Sequence, residues 1–181
     1  MTDLKLVGLC GSLRRDSWNR VLLRAAADAF GPADFTEGNL RLPLYDGDLE
    51  AEGMPSEVTA LKELVAGADA VIIACPEYNK APPGVLKNAL DWLSRGGHPW
   101  AGKPVAIVSA SAGRAGGERT QFALRLMMVA FRPYLLQGPE VLVANPSEAF
   151  NADGALQDER GAGLLAELME DLRNAALARR S

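Results

Sequence analysis

"KLVGLCGSLRRDSWNRVLLRAAADAF", residues 5–30, decides the fold. Its first six residues are an apolar run, the kind of strand that a parallel sheet buries on both faces. Its last eleven read as a helix. Between them lies the polar turn "GSLRRDSWN", residues 11–19. Strand, polar turn and helix together present a helix N-terminus, with free N–H groups and a positive dipole end, to an anion. The turn has one glycine, Gly11. The G-x-G-x-x-G fingerprint is therefore absent, and so is the G-K-[ST] of a P-loop. Ser12, Arg14, Ser17 and Asn19 are present instead. Two hydroxyls, a guanidinium and an amide suit one dianionic phosphate. On this stretch alone a plainer alternative also stands: Ser17 or Asn19 caps the helix and the arginines are solvated.

Outward from this turn the chain alternates. A short strand is expected around Phe35, and "LRLPLYDGDLEAEGMP" (40–55) reads as a loop holding Pro43, Gly47, Gly53 and Pro55. Apolar spacing at Val58, Leu61, Leu64 and Val65 predicts a helix over 56–68, with Ser56 at its cap. "AVIIAC" (70–75), "PVAIVSAS" (104–111) and "EVLVA" (140–144) are further strands. Helices are expected over 83–95, 118–131 and 163–177, the last with Leu164, Leu165, Leu168, Met169 and Leu172 on one face.

Alternating strands and helices build βαβ units and a parallel sheet covered on both faces. The expectation is one α/β domain over residues 1–181. It is a flavodoxin-like three-layer sandwich with a five-stranded parallel sheet of order 2-1-3-4-5. Ligands of such sheets sit outside the carboxyl ends of the strands, where the strand order reverses. Three loops meet that description: those after Cys10, Cys75 and Ser111. The second, "CPEYNKAPPG" (75–84), places Pro76, Glu77, Tyr78 and Asn79 at the crevice. The third, "SASAGRAGGERTQ" (109–121), offers Gly113, Gly116 and Gly117, where a backbone could approach a flat ligand.

Composition excludes several classes. The 181 residues carry 19 basic and 23 acidic side chains, a net charge of −4. No general attraction to nucleic acid or to an anionic membrane follows from that balance. No apolar run approaches the roughly 20 residues that span a bilayer, and "MTDLKLVG" has no signal-peptide core. Cys10 and Cys75 form neither a disulfide framework nor a metal spacing. Each reads first as a small apolar residue at a strand end, although Cys75 could also serve as a redox thiol. A cytoplasmic protein with reduced thiols is expected. The single histidine, His98, offers no basis for a metal centre or a Ser-His-Asp hydrolase.

With these motifs in view, the sequence resembles the NADPH-dependent FMN reductase family, flavodoxin-like reductases of quinones, chromate, ferric chelates and azo compounds. The carrying residues are "GSLRRDSWN" (11–19), "LPLYD" (42–46), "PEYN" with "PGVLKNALDW" (76–92), and "SAG", "GG" and "RTQ" within 111–121. The resemblance runs from about Leu4 to at least Ala144, and departs from the family pattern at Trp18, Lys80 and Ala81. It implies that Ser12, Arg14, Ser17 and Asn19 hold the FMN phosphate. It further implies that Pro76, Glu77, Tyr78 and Asn79 line the flavin ring, with Ser111, Gly113, Gly116 and Gly117 on its other side.

The implied chemistry is hydride transfer from NADPH or NADH through bound FMN to small-molecule electron acceptors, in a ping-pong scheme. No side-chain acid, nucleophile or metal is required. A homodimer or homotetramer is implied as well, and "FALRLMMVAF" (122–131), apolar over more than one helical face, is a candidate contact. The alternative is a flavodoxin-like electron carrier or redox sensor that binds FMN without turning over NAD(P)H. The arginine-containing phosphate turn favours the enzyme.

Overall fold

A strand apolar at every position can bury both of its sides only between two layers of helices. The computed structural model, which describes residues 4–180, has that arrangement. The strands are β1 (Leu4–Cys10), β2 (Ala33–Gly38), β3 (Ala70–Ala74), β4 (Pro104–Ser111), β5 (Tyr134–Leu135) and β6 (Val141–Ala144). The helices are α1 (Trp18–Phe30), α2 (Gly47–Glu52), α3 (Ser56–Gly67), α4 (Gly84–Leu93), α5 (Glu118–Met128), α6 (Pro146–Ala149) and α7 (Glu159–Arg180). All strand pairs are parallel and run β2-β1-β3-β4, followed by β5 and β6 one after the other along the same edge of β4. The expected order 2-1-3-4-5 is observed, with its fifth position divided in two. β5 pairs with Pro104 and Val105 at the start of β4, and β6 with Val108–Ser111 at its end. The break between them holds Gly138 and a cis Pro139.

Alternate strand residues face opposite layers. Leu6, Ile72 and Val108 pack with Leu22 and Leu23 of α1 and Leu168 and Leu172 of α7. Val7, Leu9, Ile73 and Ile107 face α3, α4 and α5 through Leu61, Leu86, Leu90 and Leu124. α7 continues beyond the apolar stripe. Arg173 there donates to the Phe30 and Pro32 carbonyls at 3.2 and 3.0 Å, and Arg180 pairs with Asp69 at 2.6 Å. Within the expected loop 40–55, α2 is started by Asp46, whose side chain accepts from Asp48 N. The "LPLYD" and "KNALDW" segments interlock: Asn88 and Trp92 both donate to the Pro43 carbonyl at 2.9 Å, and Tyr45 N donates to Asn88 Oδ1 at 2.8 Å. Among the described residues, no helix is long and apolar enough to cross a membrane.

One side chain sets where α1 begins. β3 leaves the sheet after Cys75 N donates to the Val108 carbonyl. The next β4 groups on that edge belong to Ala110, two residues further along. Asn19 supplies them: its Nδ2 donates to Ala110 O at 2.8 Å and its Oδ1 accepts from Ala110 N at 3.0 Å. The carboxamide thus replaces a missing strand residue. Asn19→Ala would leave two buried backbone groups unpaired, a cost of roughly 2–4 kcal/mol. Urea unfolding of the apo-protein is expected to show that loss; a change within about 0.5 kcal/mol, the range of an ordinary surface substitution, would contradict it.

Candidate functional site

Because the sheet is parallel, the carboxyl ends of β1, β3, β4 and β6 emerge at one edge. They open on a cleft of about 340 Å³. Ser12, Arg14, Ser17 and Asn19 line it from the first loop; Pro76, Glu77 and Tyr78 from the second; Ser111 from the third. Trp18, Ala110 and Ala112 complete these walls, and Asn145, Pro146 and Ser147 add a fourth. No sequence motif marks the fourth wall, although the strand-end rule applies equally to the carboxyl end of β6. Trp18 lies parallel to Phe150, with ring centroids 5.8 Å apart.

Among the described residues, the first loop leaves several hydrogen-bond donors without a protein partner. Ser12 and Ser17 are only 3% and 5% exposed. Ser17 occupies the cap position of α1 in an extended conformation, yet its hydroxyl does not cap the helix. Asn19 does not cap it either, since its amide is spent on Ala110. The plainer capping alternative is therefore not realised by either side chain. α1 has no acidic side chain in its first turn. Among the described residues, the amides of Trp18 and Asn19 meet no protein acceptor, and nothing engages the Arg14 guanidinium. Hydroxyls, orphan amides and one unpaired guanidinium form a donor set that fits a single phosphate-sized anion. Arg15, the neighbour, is not in the cleft but lines a cavity behind the loop.

The second loop is held rigidly. Thr120 Oγ1 donates to the Pro76 carbonyl at 3.2 Å, and Arg119 engages Glu77 through its backbone N at 3.2 Å and its Nη1 at 3.1 Å. Tyr78 and Ala81 exchange backbone hydrogen bonds at 3.0 and 3.1 Å around Asn79 and Lys80. Both central residues have positive φ, 51° and 67°, as a tight type I′ turn requires. The turn carries Asn79 to its tip, so Asn79 is not among the cleft-lining residues, while Tyr78 stands half-exposed at the rim.

The third loop uses its glycines differently from the expectation. A Cβ on Gly116 would stand 2.7 Å from the Leu142 backbone, and one on Gly117 would stand 2.8 Å from Ser109. Both have positive φ and serve close packing onto β6 and β4. Neither lines the cleft, nor does Gly113, which has open space around it. Ser109 and Gln121 brace this loop from inside: Ser109 donates to Gly116 O at 2.8 Å, and Gln121 donates to Ser109 Oγ at 3.0 Å and Val141 O at 2.9 Å.

Both thiols are buried and unpaired. Burial pushes the Cys75 thiol up to about 12, with its hydrogen bond to Thr120 opposing the shift only in part. Burial raises Cys10 as well. Neither has the thiolate character of a redox nucleophile. His98 is exposed beyond the C-terminus of α4, at the opposite edge of the sheet from the cleft.

A family model described as NADPH-dependent FMN reductase matches residues 4–148. The chain belongs to the NADPH-dependent FMN reductase family. It is 40% identical over 173 residues to an NAD(P)H-dependent FMN reductase of Pseudomonas aeruginosa, covering 94% of each chain. A quinone reductase of Escherichia coli is 43% identical over 145 residues, 77% of each chain. Among solved structures, the flavoenzyme NAD(P)H:(acceptor) oxidoreductase FerB of Paracoccus denitrificans superposes with a TM-score of 0.88 at 31% identity, over 97% of this chain and 98% of that one. All four walls of the cleft fall within the residues matched by the family model.

Proposed function

We propose that this chain is an FMN-dependent NAD(P)H oxidoreductase that reduces quinones or similar small acceptors. One observation carries the reading: the uncommitted anion donors at the start of α1, in a cleft of a chain 40% identical to an NAD(P)H-dependent FMN reductase. Ser12, Arg14, Ser17 and the first amides of α1 would hold the terminal phosphate of FMN. Pro76, Glu77 and Tyr78 on one side and Ser111 and Ala112 on the other would flank the ring. Asn19 positions the helix start. Asn79 stands at the tip of the second loop, Gly116 and Gly117 pack the third loop onto β6 and β4, and Gly113 borders open space on that loop.

Bound FMN supplies the hydride acceptor and donor. The chain's residues fix the plane in which a ring can lie. The Glu77–Arg119 pair and the Thr120–Pro76 bond hold one wall still, and the Ser109–Gly116 bond holds another. Tyr78 at the rim offers an aromatic face to an incoming planar group. With one cleft for donor and acceptor, NAD(P)H and quinone take turns in it. Phe122, Leu126, Val129 and Tyr134 are exposed on the α5 side, and a second copy covers them in a homodimer or homotetramer. Unpaired thiols and the absence of an apolar span among the described residues support a cytoplasmic setting.

Steady-state oxidation of NADPH and NADH with benzoquinone tests the activity. Parallel double-reciprocal lines, and FMN as the flavin released by heat, are expected. A colourless protein that also fails to take up FMN, or one that leaves NAD(P)H untouched, would defeat the proposal.

Arg14 provides the sharper test. Charge-assisted bonds to a phosphate are worth roughly 1.5–3 kcal/mol, so Arg14→Ala is expected to weaken FMN binding by about 10- to 150-fold. Turnover per bound flavin should change little, since the phosphate is bound alike in ground and transition states. Arg15→Ala, behind the loop, should be much milder. Fluorescence titration of apo-protein reads both; equal effects, or the reverse order, would reject the assignment.

A further inference from the structure

The anion loop is shaped from behind. Arg20, one turn into α1, extends back under the loop rather than into the cleft. Its Nη1 donates to the carbonyls of Arg14 at 2.7 Å and Arg15 at 3.1 Å. Its Nε donates to Glu37 at 2.7 Å, at the end of β2, which fixes the plane of the guanidinium. Arg41, in the segment after β2, donates from Nη2 to the Leu13 carbonyl at 3.0 Å. Three consecutive carbonyls, Leu13 to Arg15, are thus held by two arginines. Both arginines and Glu37 line the cavity behind the loop, which shares only Ser12 with the cleft.

A trans peptide points its C=O and N–H in opposite directions. Holding the Leu13, Arg14 and Arg15 carbonyls toward Arg20 and Arg41 leaves the amides of Arg14, Arg15 and Asp16 directed away from those two side chains. Those of Arg15 and Asp16 meet no protein acceptor among the described residues. A run of successive amides freed in this way can form an anion nest. Were the carbonyls free to rotate, their negative ends would face the same space and repel a phosphate. We infer that Arg20 and Arg41 are positioning residues for phosphate recognition, which hold the loop's carbonyls away from the bound anion without touching it. This rests on the flavin reading of the cleft. Arg20 is suited to the task because one planar fork reaches two carbonyls and a carboxylate together, which an ammonium cannot do in the same geometry.

FMN and riboflavin differ only in the phosphate, so their ratio isolates the loop from the rest of the cleft. Apo-protein is titrated with each flavin by fluorescence quenching, for wild type, Arg20→Ala, Arg20→Lys and Arg41→Ala. Arg20→Ala is expected to weaken FMN binding by about tenfold or more while riboflavin stays within about twofold. Arg20→Lys should recover part of the FMN loss. FMN affinity unchanged in Arg20→Ala, or an equal loss for both flavins, would overturn the inference. If Arg20→Ala does not fold, Arg41→Ala decides: it releases one exposed contact and should show a smaller loss confined to FMN, and no change there would overturn the inference equally. A wild-type protein that binds neither flavin would defeat the flavin reading itself, a result distinct from these.

Discussion

The carboxamide of Asn19, closed on the backbone of Ala110, is the constraint on which the site depends. It fills the place in the β-ladder that β3 vacates, and so fastens the start of α1 to the end of β4. The other end of the loop is fixed where Gly11 N donates to Ala74 O at 2.8 Å. Residues 11–19 are therefore anchored to both β3 and β4 before any bond within the loop is counted. A loop fixed at its ends does not need its own amides for support. They are left for a ligand, at no further ordering cost when it binds.

Most of the fold was legible because its central strands are buried on both faces. "KLVGLC", "AVIIAC" and "PVAIVSAS" have no polar alternation to confuse them. The less legible parts are those that tertiary contacts decide. α2 lies among Gly and Pro residues and is short; its Asp46 cap and the Arg95–Glu50 and Tyr45–Glu50 bonds secure it. α7 outlasts its apolar stripe because Arg179 and Arg180 find partners on Ala101 and Asp69. Of the two pieces of the fifth strand, "EVLVA" is legible as β6, whereas the two residues of β5 are too few to carry a periodic signal.

At the site, residue chemistry was readable but residue geometry was not. Ser12, Arg14 and Ser17 stand in the cleft, as their donor groups suggested. Asn19 has the right chemistry and a different duty. The spacing of Gly116 and Gly117 suggests access for a ligand, but a side chain there would collide with protein backbone or with Ser109. Arg20 resembles any solvated helix arginine in sequence, because nothing local reveals that its guanidinium turns back toward the loop. Asn145 to Ser147 follow the legible strand "EVLVA" but carry no glycine or charged motif that marks them as part of a site. Each of these cases turns on which way a group points, which type and spacing do not encode.

The uncommitted donors of this loop suit a single phosphate bound as a dianion. The phosphate dianion of free FMN takes up its first proton with a pKa of about 6. Donors that favour the charged form must lower that value in the complex. Phosphorus NMR of the FMN-loaded protein, from about pH 5.5 to about pH 8, reads the protonation state directly across this range. One resonance whose shift stays constant over that range is expected. A resonance that titrates with the midpoint of free FMN would show a phosphate exposed to solvent and would contradict it.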